Sequence, residues 1–338
     1  MEEFLHYHPF TLEMGQTLPG IRIGYHTYGD LNAAGDNVVW ICHALTANSD
    51  VIRWWPGMVG DHRYVNPEKH FIVCANILGS CYGSSGPLSE DPVTGKTYFS
   101  SFPQVTIRDM VKAHILLRKH LGIKQIHLLM GGSMGGYQAL EWSLTEPLII
   151  RDLFLIATSA AESAWGIAVH TAQRLAIEAD PTWMDRNEEA GAKGLRAARG
   201  IGILTYRNYA IMKEKQSDTD PNKLDNYRAS SYISYQGNKL SRRFNTYSYW
   251  LLTKAMDSHN IARHRGGDLK KVLSCITQRT LIVGITSDIL CPIAEQEFLA
   301  SNIPNSKLIS IDSLYGHDGF MVETEKIGFC LKEWMSST

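Results

Sequence analysis

Residues 126–140 read Ile126, His127, Leu128, Leu129, Met130, Gly131, Gly132, Ser133, Met134, Gly135, Gly136, Tyr137, Gln138, Ala139, Leu140, and this stretch decides the fold. The apolar run Ile126 to Met130 predicts a buried strand, and Gly136 to Leu144 predicts a helix. Between them Gly131 to Gly135 spell G-x-S-x-G. A serine raised on a sharp strand-to-helix turn needs glycines beside it, because the backbone there is strained and neighbouring chain passes close. Four glycines surround Ser133. Its hydroxyl is thereby expected at the C-terminal end of a central strand, with the unpaired N–H groups of a helix N-terminus behind it. A phosphate-binding loop is disfavoured, since no Lys-Ser or Lys-Thr pair follows the glycines.

Outward from this turn, short apolar runs recur at Val38 to Cys42, Phe71 to Ala75, Leu153 to Ala157, Leu281 to Ile285 and Leu308 to Ile311. Helical segments separate them, which predicts an α/β protein with a mostly parallel central sheet and helices on both faces. Ile21 to Tyr28 alternates and is expected as an antiparallel edge hairpin with a strand before it. Thr106 with Asp109 forms a capping box ahead of an apolar helix face containing Ile107 and Val111. From Ser159 to Arg265 the strand rhythm stops. Helical patterns over Ala168 to Ala179, Glu189 to Arg199 and Lys239 to Met256 take its place, so residues 159–265 are expected as a helical lid inserted in a core domain made of 1–158 and 266–338.

The chain has 338 residues, is 44% hydrophobic and 20% charged, and carries a net charge of −1, which argues against a nucleic-acid or membrane surface. The first ten residues do not read as a signal peptide, and no stretch reaches the roughly 18 apolar residues of a membrane span. Cys42, Cys74, Cys81, Cys275, Cys291 and Cys330 are scattered without a C-x-x-C pair. They are expected as reduced core residues of a cytoplasmic protein, with no metal site.

A serine hydroxyl is a weak nucleophile until a base takes its proton, and histidine does this near neutrality. The chain order Ser, acid, His that goes with this kind of turn is met by Ser133, Asp288 and His317. Asp288 follows the strand Leu281 to Ile285, and His317 follows Leu308 to Ile311, where strand C-termini open on a crevice. Of the 13 histidines, His127 is expected in the core, His259 and His264 at the polar end of the lid, and His43 on the wrong side of the serine in chain order. Asp312 is the rival acid, on the same short connection as His317.

Taken together, Cys42 to Thr46, Trp54 and Trp55, Asn76 to Gly79, Gly83 to Pro87, Phe102 to Met110, Gly131 to Gly136 with Gln138 to Trp142, and Tyr315 to Asp318 resemble the homoserine O-acetyltransferase family of the α/β-hydrolase superfamily. The resemblance implies the α/β-hydrolase fold and a ping-pong reaction in methionine biosynthesis. Ser133 would take an acyl group from acyl-CoA, a co-substrate, and pass it to the γ-hydroxyl of L-homoserine, with no bound cofactor. It implies an oxyanion hole from the backbone N–H groups of Leu45 and Met134, and an acceptor site in which Arg199 grips the carboxylate, Tyr206 lies nearby and Asp318 faces the ammonium. It also implies a homodimer through the lid, for which the apolar segment Tyr247 to Leu252 is the expected face. Many members carry glycine after the His-Ala-Leu-Thr block, whereas this chain has Ala47, Asn48, Ser49 and Asp50. A succinyl donor, serine as acceptor, or ester hydrolysis by the same serine therefore stay open as alternatives.

Overall fold

The computed structural model describes residues 1–337. Eight strands build one sheet: β1 (Glu2–His6), β2 (Ile21–Tyr28), β3 (Val38–Cys42), β4 (Phe71–Ala75), β5 (Ile126–Gly132), β6 (Ile150–Ile156), β7 (Arg279–Ile285) and β8 (Ser306–Ile311). Their order is β1-β2-β4-β3-β5-β6-β7-β8. β2 runs antiparallel to both β1 and β4, and the remaining pairs are parallel. Ile21–Tyr28 and the strand before it thus form the expected antiparallel pair at the sheet edge, with β1 outermost. Two two-stranded hairpins stand outside the sheet.

Strand alternation divides the core in two. Val38, Trp40 and Cys42 point into one apolar cluster, and Val39 and Ile41 point into the other across the sheet. Each such buried aliphatic side chain contributes about 1.5–3 kcal/mol relative to exposure. Helix α1 (Ile107–His120) begins at the capping box, where Asp109 N–H donates to Thr106 Oγ1 and Thr106 N–H donates to Asp109 Oδ2. Its buried stripe of Ile107, Met110, Val111 and Leu117 lies on the first cluster, and Arg118, Lys119 and His120 in its last turn oppose the helix dipole. Helix α2 (Met134–Thr145) follows Ser133 directly and packs Trp142 edge-on against Trp40.

Between β6 and β7 come α3 (Ala164–Glu178), α4 (Ala192–Tyr206), α5 (Tyr209–Gln216), α6 (Arg228–Ser241) and α7 (Thr246–Asp257). The pattern expected as one helix over Lys239 to Met256 is broken at Arg242 to Asn245, because Asn245 turns out of the helix and its side chain accepts from the N–H groups of Tyr247 and Ser248. The segment Tyr247–Leu252 is a correction. Tyr247, Tyr249, Leu251 and Leu252 are buried inside their own chain, with the Tyr247 ring tilted against Trp183, so they offer no face to a second copy. Helices α8 (Ile293–Asn302) and α9 (Thr324–Ser336) complete the layers beside β7 and β8. Among the described residues no helix is long and apolar enough to cross a membrane.

The cysteines are less uniform than expected: Cys42, Cys74 and Cys291 are buried, but Cys275 is exposed and Cys81 and Cys330 are half-buried. His259 is another correction. It is buried, stacks on Tyr137 at 3.9 Å, and its Nε2 lies 3.0 Å from the Ser159 carbonyl. His127 is only partly covered, near His70 at the opposite end of β5 from Ser133.

Candidate active site

Ser133 adopts φ 54° and ψ −127°, a backbone that L-residues enter only when their surroundings hold them there. What holds it is visible atom by atom. A Cβ on Gly131 would stand 2.2 Å from the Gly135 carbonyl oxygen, and one on Gly135 would stand 2.1 Å from the Cys42 carbonyl oxygen. Only glycine lets the turn close, and Thr158 Oγ1 then donates to the Ser133 carbonyl at 2.9 Å.

The Ser133 hydroxyl lies 2.9 Å from His317 Nε2, and His317 Nδ1 lies 2.6 Å from Asp288 Oδ2. All three residues are buried, at 7%, 3% and 4% exposure, so little water competes for these bonds. The other carboxylate oxygen, Asp288 Oδ1, accepts from the N–H groups of Leu290 and Cys291 at 2.8 and 2.9 Å. Those two donors fix the carboxylate, which fixes the imidazole with Nδ1 protonated and Nε2 free to accept the serine proton. Burial alone would lower the His317 pKa, but the charge of Asp288 and its hydrogen bond outweigh that, and the result is a raised value. Asp312 takes no part. It is exposed, and its Oδ1 accepts from Thr286 Oγ1. His43 is a buried structural pin whose Nδ1 donates to the Ala44 carbonyl and whose Nε2 accepts from Ile77 N–H, and burial lowers its pKa to about 4.

A cavity of ≈ 300 Å³ opens over Ser133 and His317 and reaches Leu45, Arg199, Tyr206 and Asp318. Arg199 and Tyr206 sit two turns apart on α4, on nearly the same face. The Arg199 guanidinium lies 5.1 Å from the Tyr206 ring centre, and that ring lies 5.9 Å from the His317 imidazole. Gly316, with φ 64°, lets the loop before His317 press on the end of α4, since a Cβ there would stand 2.9 Å from the Tyr206 carbonyl oxygen. Burial raises the Tyr206 pKa and, against the pull of Arg207, His317 and Arg199, that of Asp318. Among the described residues, the N–H groups of Leu45 and Met134 donate to no protein acceptor. A second cavity, ≈ 510 Å³ and lined by His62, His70 and His127, is larger but holds no serine or cysteine poised beside a base.

Several site residues escaped the sequence reading. Arg207 Nε lies 3.1 Å from Asp318 Oδ2, so that carboxylate is already paired on one side. His170 lines the cavity, and its Nδ1 lies 2.9 Å from Asp257 Oδ1. Arg243 stands at the mouth, bonded to Thr46 and Tyr82. Each is one polar residue on a helix or a loop whose facing no local pattern fixes. Asp288, Cys291 and His317 also form a group whose ligand atoms lie within 4.8 Å of one another. The Asp288 oxygens and His317 Nε2 already serve the hydrogen bonds just described, and burial pushes the Cys291 thiol well up, against the thiolate a metal would want.

Residues 37–324 match the alpha/beta hydrolase fold family. A homoserine O-acetyltransferase from Cyclobacterium marinum is 44% identical over 324 residues, covering 96% of this chain and 92% of that protein. The chain belongs to the homoserine O-acetyltransferase family. The crystal structure of a homoserine O-acetyltransferase from Bacillus anthracis superposes with a TM-score of 0.91 at 23% identity, over 98% of this chain and 96% of that one. Esterase E22 superposes with a TM-score of 0.88 at 20% identity, covering 98% and 99%. The scaffold is therefore shared by transferases and hydrolases, and fold alone does not separate them.

Proposed function

We propose that this protein is a homoserine O-acetyltransferase working by a ping-pong route through acetyl-Ser133. The observation that carries the reading is the continuous chain Ser133 Oγ, His317 Nε2, His317 Nδ1, Asp288 Oδ2 at 2.9 and 2.6 Å, opening on a cavity that also collects Arg199, Tyr206 and Asp318. His317 takes the serine proton as Oγ attacks the thioester carbonyl of acetyl-CoA. The tetrahedral oxyanion is received by the N–H groups of Leu45 and Met134, and collapse expels the CoA thiolate, which takes the proton back from His317. In the second half His317 deprotonates the homoserine γ-hydroxyl, which attacks the acetyl-serine carbonyl, and collapse releases Ser133 Oγ, which takes that proton back from His317.

Arg199 offers a planar fork for the acceptor's carboxylate. Asp318 offers its unpaired oxygen to the ammonium. The acetyl donor is favoured over a succinyl donor, and homoserine over serine, by the 44% identity to proteins bearing that name. A matrix of acetyl-CoA and succinyl-CoA against homoserine, serine and water, followed by thiol release, tests this. Acetyl-CoA with homoserine should be fastest by at least tenfold, and release equal with water alone would make the enzyme a hydrolase. The reaction so read belongs to methionine biosynthesis in the cytoplasm and calls on no bound cofactor. A homodimer is part of the reading, with the exposed apolar side chains of the helical segment, such as Leu175 and Leu204, as its contacts. Sedimentation as a monomer at micromolar concentration would contradict it.

A further inference from the structure

The loop after β3 presents Leu45 in a tight turn. Ala47 N–H donates to the Ala44 carbonyl at 3.0 Å, so residues 44–47 form a β-turn with Leu45 and Thr46 at its centre. Thr46 has φ 64°. That is the third position of a turn that favours glycine, and a β-branched residue is strained there. Inside the protein the loop is tied by Gln138 Nε2 donating to the His43 carbonyl at 3.1 Å. On the outside, among the described residues, one side chain holds it. Arg243, between α6 and α7, donates through Nη1 to the Thr46 carbonyl at 2.5 Å, while its Nη2 lies 3.4 Å from Thr46 Oγ1. The same Nη1 reaches Tyr82 Oη at 2.9 Å, which steadies the guanidinium.

We propose that Arg243 is a positioning residue for the oxyanion hole, acting on the Leu45 N–H through the two peptides of this turn. The inference rests on the reading of Leu45 as an oxyanion donor. The bonds run in one direction. The cation donates to the carbonyl of the Thr46–Ala47 peptide, whose own N–H donates to the carbonyl of the Ala44–Leu45 peptide, whose N–H is the free donor facing the cavity. Peptides linked in this way polarise one another, so a positive charge at the head of the chain strengthens the donor at its end. The same contact keeps the strained Thr46 from relaxing and turning that N–H away. Arg243 touches no reacting atom in this role.

The obvious rival is that Arg243, exposed at the cavity mouth, grips the phosphates of CoA. Acylation of Ser133 by acetyl-CoA and by p-nitrophenyl acetate, which carries no CoA, separates the two. In R243A both acylations and the discharge to homoserine should fall by the same factor. We expect on the order of 10- to 100-fold, part of the roughly 10²–10³-fold lost when an oxyanion donor is removed outright. The KM for acetyl-CoA should be unchanged. Adding T46G should recover part of the loss, since glycine holds the turn without strain. A loss confined to acetyl-CoA with a raised KM, or no loss with either donor, overturns the proposal. Should R243A fail to fold, R243K keeps the charge without the two-pronged grip, and its loss must again be equal for both donors. A wild-type enzyme acylated by the small ester but not by acetyl-CoA would instead sink the functional reading, with the ester arm still reporting on Arg243.

Discussion

Asp288→Asn is the perturbation whose outcome follows most directly from the geometry. The Leu290 and Cys291 N–H groups both point at Oδ1, and two donors cannot face an amide NH₂. The asparagine must therefore keep its oxygen there and turn Nδ2 toward His317 Nδ1, 2.6 Å away in the native enzyme. An NH₂ group donates, so Nδ1 becomes the acceptor and the imidazole proton moves to Nε2. That nitrogen now carries a hydrogen toward Ser133 Oγ and cannot take the serine proton. The loss in acylation rate is on the order of 10⁴-fold, about 5.4 kcal/mol at 1.36 kcal/mol per tenfold, with the fold intact. The pH profile gives a second reading. His317 must be neutral to act as base, and because Asp288 holds its pKa raised, the native rate falls as pH drops through that raised value. Without the carboxylate charge, burial is left to lower it, so the acid limb of the residual activity moves to lower pH. Single-turnover thiol release from acetyl-CoA across pH measures both effects. A loss below tenfold, or an acid limb that does not move down, would refute the reasoning.

Arg199→Ala should slow discharge of the acetyl-enzyme to homoserine by at least tenfold more than it slows acylation, since the guanidinium is assigned to the acceptor alone, and rapid mixing resolves the two halves. Asp318→Asn should raise the KM for homoserine with a smaller change in acylation, read in the same experiment. Gly135→Ala places a methyl 2.1 Å from the Cys42 carbonyl oxygen. It should cost about 1–3 kcal/mol in denaturant melts and lose most turnover, because the backbone shift that relieves the clash also moves the Met134 N–H.

Much of this arrangement is written locally. The strand at Ile126, the glycines around Ser133 and the apolar runs before Asp288 and His317 are each legible because strand and turn chemistry depend on neighbours in sequence. The antiparallel edge pair of β1 and Ile21–Tyr28 is legible from alternation as well, whereas the order of the central strands follows less directly, because it depends on pairing between residues far apart in the chain. The helical segment is where reading by composition fails. Tyr247–Leu252 looked too apolar for a surface, and the structure buries it against Trp183 and its own core instead of a second copy. His259 sits beside charged residues in sequence yet stacks on Tyr137 in the interior. Arg207, His170 and Arg243 gave no signal, because each matters through a partner 80 or more residues away in the chain: Asp318, Asp257 and Thr46.

The central claim is that Ser133 carries the acetyl group between donor and acceptor, kept from water until homoserine arrives. Intact-protein mass spectrometry after mixing enzyme with acetyl-CoA alone tests it, with peptide mapping to locate the modification. The account predicts one added acetyl group, placed on Ser133, absent in Ser133→Ala, slow to disappear in buffer and discharged rapidly when homoserine is added. No acetyl-enzyme in a competent preparation, or one that water discharges as fast as homoserine does, would contradict it.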